Sequence, residues 1–130
     1  MRFIYIDDHA VNRRIVNELL RLIDVECDEA ADAVSGIAMI EAAAYDGILV
    51  DLHMPDVDGL EATRRIRALG ERWLHVPVIA ITADTTPGIA ERCANAGVDE
   101  LVPKPVDLDV LADAIARAML KHAPDGLSLT

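Results

Sequence analysis

The feature that most constrains this chain is a set of five short apolar runs, each stopping beside a polar residue and each followed by a stretch of helical periodicity or a cap. Phe3-Ile4-Tyr5-Ile6 stops at Asp7-Asp8, and Ile48-Leu49-Val50 stops at Asp51. Val76 to Ile81 stops at Thr82, and Val98 to Val102 runs out just before Lys104-Pro105. A weaker run lies at Val25 to Glu29. Short apolar runs of this kind read as strands buried on both faces, and such strands belong to parallel sheets.

The intervening segments read as helices. Val11, Ile15, Val16, Leu19, Leu20 and Ile23 recur at helical spacing after a cap at Asp8 or His9. Asp32 opens a second helix, with Val34, Ile37, Ile40 and Ala44 facing inward, that Asp46-Gly47 breaks. Asp58 caps a third, carrying Leu60, Thr63, Ile66 and Leu69, which Gly70 ends. Thr86-Pro87 starts a short fourth helix and Gly97 ends it. Asp107 caps the last, with Leu108, Leu111, Ile115, Ala118 and Met119 as its stripe. Strict alternation predicts an α/β fold: a flavodoxin-like, doubly wound sheet of five parallel strands in the order 2-1-3-4-5 with five helices. Residues 1–122 form one domain, and 123–130 read as a loose tail.

Composition narrows the function classes. The chain has 130 residues, 52% of them hydrophobic but 3% aromatic, so its core is built from Val, Ile, Leu and Ala. A net charge of -11 with no basic run argues against nucleic-acid binding. No apolar stretch approaches the roughly 18–20 residues of a membrane span, and the acids at 7 and 8 come too early for a signal peptide. Cys27 and Cys93 stand in no metal spacing and read as reduced thiols of a cytoplasmic protein, although a disulfide stays open. His9, His75 and His122 lie in unrelated segments, Trp73 packs before the fourth strand, and Met39 and Met119 belong to helical stripes.

In the 2-1-3-4-5 order, strands one and three are neighbours, about 4.8 Å apart. Asp7, Asp8 and Asp51 therefore reach one carboxyl edge of the sheet, at the point where strand order reverses and ligands bind. Thr82 and Lys104 arrive at the same crevice from strands four and five. Like charges about 4 Å apart cost about 4 kcal/mol per pair at an effective dielectric of 20. Either the acids protonate, or a divalent cation neutralises them. An all-oxygen, partly open donor set suits Mg²⁺, which keeps several waters and accepts phosphate oxygens. With an ammonium and a hydroxyl beside it, such a site suits phosphoryl transfer onto a carboxylate.

The segments "IYIDDHAVNRR", "ILVDLHMPDVDGLEATRRIR", "VPVIAITAD" and "GVDELVPKP", in that order, resemble the response-regulator receiver domains of two-component signalling. The resemblance covers residues 2 to about 121. It implies that Asp51 accepts the phosphoryl group, that Asp8 ligates Mg²⁺ directly with Asp7 acting through water, and that the His53 backbone carbonyl completes the metal shell. It implies a switch hydroxyl at Thr82, a phosphate-pairing lysine at Lys104 and a cis bond before Pro105. Gly59 and Ala83 would fit tight turns and leave the acid accessible. His53 and Asp84 would flank the phosphoryl group and tune its lifetime.

Leu101 departs from the pattern, standing where many receivers have Tyr or Phe. Switching then runs through the strand-four loop and helix four alone, or the chain passes phosphate on and needs little switching. The expected donor is a sensor histidine kinase or a histidine phosphotransferase, docking on Val11, Arg14 and Ile15 and on the Pro105-Val106 loop, with a downstream protein partner reading the switch. Both a stand-alone regulator and a receiver belonging to a hybrid kinase fit. Two other readings stand beside this one: a phosphorylation-independent interaction module on the same fold, and a phosphatase of the haloacid dehalogenase type. The phosphatase wants an acid where His53 stands.

Overall fold

The run Ile48-Leu49-Val50 has no polar side chain to offer solvent, and β3 (Gly47–Asp51) is accordingly buried along its whole length. This computed structural model describes residues 1–123. Beside β3 lie β1 (Arg2–Ile6) on one flank and β4 (Val78–Thr82) on the other, with β2 (Glu26–Ala30) and β5 (Glu100–Pro103) outermost. All pairings are parallel and the order is β2-β1-β3-β4-β5, as the alternation predicts.

Five helices cover the two faces: α1 (Ala10–Arg21), α2 (Ala33–Ala42), α3 (Gly59–Arg67), α4 (Ile89–Ala96) and α5 (Leu108–Lys121). Strand side chains alternate between faces. Ile4, Ile6, Ile48, Val50, Val78 and Ala80 join the core under α2, α3 and α4. Phe3, Tyr5, Leu49, Ile79, Ile81 and Val102 join the core under α1 and α5. Cys27 packs against the second core and Cys93 lies in the first, so the sheet separates them and both are free thiols. No helix among the described residues is long and apolar enough to cross a membrane. From residue 124 on, the expected tail lies outside the described residues.

Asp32, Asp58 and Asp107 cap α2, α3 and α5 through their carboxylates, as expected. His9 precedes α1 without a side-chain cap. Several details differ from the sequence reading. Val34 is 67% exposed and Ala44 lies exposed beyond the end of α2, whose buried residues are Ala33, Gly36 and Ile40. The reason is close packing: a Cβ on Gly36 would sit 2.6 Å from Ile6, so small residues face the sheet and a larger Val34 points away. Val11 (69% exposed) and Ile15 (46%) do not join the buried stripe of Val16 and Leu20 on α1, and Ile15 instead borders an open cavity beside Pro105 and Val106. The third helix stops at Arg67, not Gly70, and a 3-10 turn, Glu71–Leu74, follows with Trp73 packed on the core. The fourth helix begins at Ile89, behind Gly88 at φ 85°, later than Thr86-Pro87. Met39 and Met119 are half-buried against the two cores.

At the end opposite the acids, one side chain locks several elements together. Arg67 donates to the carbonyls of Trp73 (2.7 Å), Val76 (2.6 Å) and Gly97 (2.7 Å), and pairs with Asp99 at 3.2 Å. Asp99 also accepts the Val78 amide at 2.9 Å and faces His122 Nε2 at 2.9 Å. This ties α3, the 3-10 turn, β4, the α4–β5 turn and the end of α5 into one unit.

Candidate functional site

Sheet register assembles the acids. Ile6 pairs with Val50, so the next residues along, Asp7 and Asp51, emerge side by side at the carboxyl edge. Both are buried, Asp7 fully and Asp51 to within 3%. Asp51 pairs with Ile81, which brings the neighbouring Thr82, also buried, to the same rim. Lys104 follows β5 through a backbone hydrogen bond from its amide to the Thr82 carbonyl, and the Lys104-Pro105 bond is cis. Lys104 Nζ stands 3.5 Å from Asp51 Oδ1 and 3.6 Å from Asp7 Oδ2.

Gly59 is required here for close approach. Its amide donates to the Leu52 carbonyl, and a Cβ at this position would lie 2.3 Å from the Asp51 carbonyl oxygen. The N-terminus of α3 can therefore press directly on the end of β3, which fixes the loop carrying His53. The His53 amide points back to Asp51 Oδ1 at 3.3 Å. Its imidazole Nε2 meets Asp84 Oδ2 at 2.7 Å, joining the loop after β3 to the loop after β4. The Asp84 amide in turn donates to Thr82 Oγ1 at 3.0 Å.

The three acids differ in their surroundings. Burial works to raise the Asp7 carboxyl, but the Tyr5 hydroxyl at 2.6 Å, the His9 amide at 2.8 Å and the Lys104 charge outweigh it and hold it below the usual aspartate value. For Asp51, burial and then the charge of Asp7 prevail over Lys104, and its carboxyl is pushed up. Asp8 Oδ1 is buried and accepts no hydrogen bond, although Nδ1 of the exposed His9 ring is 3.2 Å away. A buried, charged oxygen without a donor is costly unless a cation meets it. Ligand atoms of Asp7, Asp8, His9 and Asp51 lie within 4.8 Å of one another. The donor set is mostly carboxylate and partly open, which fits a hard dication such as Mg²⁺.

All the predicted site residues on the strand ends converge: Asp7, Asp8, Asp51, Thr82 and Lys104 share one rim. Leu101 is half-buried against the core under α4 and borders a cavity of about 290 Å³ shared with Thr82, Ala83 and Asp84. Val11, Arg14 and Ile15 are exposed on α1. Ile15, Pro105 and Val106 line a cavity of about 160 Å³ together with Asn12 and Lys104. Three residues at the site were missed from sequence, the first being His9, read there as lying in an unrelated segment, whose ring falls within 4.8 Å of the three carboxylates. Tyr5 donates into Asp7 from within the core, and Arg13 donates to the Asp7 carbonyl at 2.6 Å while pairing with Glu29 at 3.1 Å. Tyr5 carried a signal, because positions two apart on a strand share a face.

Comparison with known proteins agrees with this geometry. A family model described as the response regulator receiver domain matches residues 3–116. The sensor histidine kinase RcsC of Salmonella typhimurium is 37% identical over 116 residues, which cover 89% of this chain and 12% of that protein. The chain thus spans about an eighth of that relative. The receiver domain of the sensor histidine kinase PA1611 from Pseudomonas aeruginosa, solved with magnesium coordinated in its active-site cleft, aligns with a TM-score of 0.81 at 32% identity, covering 91% of this chain and 96% of that one. The chemotaxis protein CheY4 of Vibrio cholerae shares the fold with a TM-score of 0.84 at 24% identity, covering 90% of this chain and 97% of that one.

Proposed function

The chain belongs to the response regulator receiver domain family, and we propose that Asp51 is its phosphoryl acceptor, taking the group from a phosphohistidine with Mg²⁺ in the adjoining acid cluster. The observation that carries this reading is the juxtaposition of a buried Asp51 with the buried, donor-less oxygen of Asp8 and with Lys104 at 3.5 Å. A carboxylate oxygen of Asp51 attacks phosphorus, the P–N bond breaks, and the imidazole leaves with a proton. Asp8, Asp51 and the His53 backbone carbonyl would hold the ion, with Asp7 behind them. When bound, Mg²⁺ offsets the mutual repulsion of the acids and the charge of the arriving phosphoryl group. Lys104 faces the same charge with its ammonium, and Thr82 offers a hydroxyl once it gives up its bond from the Asp84 amide.

The receiver unit runs from residue 1 to about 122. A histidine kinase or histidine phosphotransferase docks over Val11, Arg14, Ile15, Pro105 and Val106; the exposed apolar side chains of α1 and the cavity beside Lys104 support that surface. Phosphorylation adds about 1.5–2 negative charges at the rim. Thr82 and the loop after β4 move toward them, and a downstream protein reads the change, with Leu101 taking no aromatic part. The protein catalyses its own phosphorylation and dephosphorylation and no other reaction, and it works in the cytoplasm.

Incubation with acetyl phosphate and Mg²⁺, followed by intact-protein mass spectrometry, tests the assignment. The expected result is a gain of one phosphoryl group that Asp51→Ala abolishes. A gain that persists in Asp51→Ala overturns the acceptor. Continuous release of phosphate from esters points to the dehalogenase-type phosphatase, and no gain under any donor points to a phosphorylation-independent module.

A further inference from the structure

The Tyr5 side chain is fully buried in β1, and its hydroxyl donates to Asp7 Oδ2 at 2.6 Å. The other oxygen, Oδ1, accepts the His9 amide at 2.8 Å. The Asp7 carboxylate is thereby held at both oxygens, from within the core on one side and from the loop on the other. An ammonium normally closes on a free carboxylate to about 2.7–2.9 Å. Lys104 instead stands back, 3.6 Å from Asp7 Oδ2 and 3.5 Å from Asp51 Oδ1. Tyr5 is set apart from the other site residues because it reaches Asp7 from the buried core on the same face of β1 and touches neither Asp8 nor Asp51 in a hydrogen bond.

We propose that Tyr5 is a positioning residue: by occupying Asp7 Oδ2 and fixing the rotation of that carboxylate, it keeps Lys104 from collapsing onto Asp7 and leaves the ammonium facing Asp51. This rests on the reading of Asp51 as a Mg²⁺-dependent phosphoryl acceptor. Without the hydroxyl, Lys104, at 3.6 Å, is the cation that faces Asp7 Oδ2, with the neutral Asn12 side chain as the other side-chain donor to that carboxylate. A closed Asp7–Lys104 pair withdraws the ammonium from the acceptor and sets a fixed positive charge against the metal-holding acids. Groups that orient a metal ligand from behind typically cost 10–100-fold in metal affinity when removed.

Tyr5→Phe keeps the ring that fills the core and deletes only the donor. Three measurements test it, with a thermal melt confirming that the variant is folded. In metal-free protein, the Lys104 Nζ resonance shifts on substitution as the ammonium closes on Asp7. In a Mg²⁺ titration followed by backbone amide shifts, affinity falls about tenfold, and phosphorylation by acetyl phosphate slows by a similar factor. In a Lys104→Ala background, Tyr5→Phe causes no further loss of Mg²⁺ affinity. An unmoved Lys104 resonance with unchanged Mg²⁺ affinity reduces Tyr5 to a space-filling residue. A loss that persists undiminished in Lys104→Ala shows that Tyr5 acts on Asp7 alone and rejects the positioning role. If the wild-type protein neither binds Mg²⁺ nor takes a phosphoryl group, the parent reading falls, while the metal-free Lys104 resonance still decides the placement of that lysine.

Discussion

His53 and Asp84 show how much one contact changes the reading of two side chains. Each lies two residues past a site residue, His53 after Asp51 and Asp84 after Thr82. The structure makes them partners at 2.7 Å, with the His53 ring exposed. Hydrogen bonds from Thr86, through its hydroxyl and its amide, then the His53 ring, hold the Asp84 carboxyl at about 2. Asp84 is therefore an ionised acceptor throughout the physiological range, suited to orient an imidazole or a water but not to give up a proton. Replacing His53 with Met and Asp84 with Ala together lengthens the life of the phosphorylated protein by about tenfold, less than the roughly hundredfold or more of a general acid or base, because the pair orients water without transferring a proton. Phosphoprotein decay by intact mass checks this, and an unchanged half-life rejects it. The strand-end acids were legible in the sequence because each interrupts an apolar run. The His53–Asp84 pair was not, because it depends on two loops meeting, and neither loop has a periodicity to read.

Elements were legible to the extent that their buried faces are large and apolar. Ile48-Leu49-Val50 announced β3, while the inward face of α2, made of Ala33, Gly36 and Ile40, was hidden behind the more hydrophobic Val34. Small residues win there because Ile6 leaves no room for a Cβ at Gly36. The 3-10 turn at Glu71–Leu74 was invisible for a related reason: it is held from outside by a residue in another element. Arg67 supplies that hold, and its guanidinium, largely buried with side-chain exposure of 12%, meets the carbonyls of Trp73, Val76 and Gly97. Arg67→Met keeps the length of the side chain and orphans those acceptors. At about 1 kcal/mol or more for each, the loss comes to about 3 kcal/mol. In a domain of this size that lowers the melting temperature by about 10 °C. Urea and thermal unfolding measure it. Phosphorylation of Asp51 persists below the new midpoint, because the lock sits at the opposite edge of the sheet from the acids.

At the scale of the whole molecule, the acid cluster is a local conflict that the rest of the fold outweighs. Two dense apolar cores lie on either side of one sheet, and the site they position places Asp7 and Asp51 side by side in burial. Burial and the neighbouring Asp7 raise the Asp51 carboxyl in the folded protein. A carboxyl raised on folding binds its proton more tightly in the native state than in the unfolded chain. Its ionisation therefore costs stability, a cost absent below the unfolded value near 3.8, growing as pH rises through the folded value, and complete above it. Asp51→Asn removes the charge at almost constant volume. In metal-free protein, kept so with a chelator, it stabilises the fold at neutral pH by about 1–2 kcal/mol, since Lys104 already offsets part of a repulsion of about 4 kcal/mol. Below about pH 3.8 the two proteins converge. Added Mg²⁺ acts in the opposite sense. An ion that binds only the native state contributes about 2.7 kcal/mol at a hundred times its dissociation constant, so the wild-type melting temperature climbs with Mg²⁺ while that of Asp51→Asn, lacking one carboxylate ligand, climbs much less. Parallel melts of both proteins across pH and Mg²⁺ concentration decide the matter. A substitution that destabilises the metal-free protein at neutral pH means that the Lys104 attraction exceeds the Asp7 repulsion, and the acids are then paired well enough to need no cation.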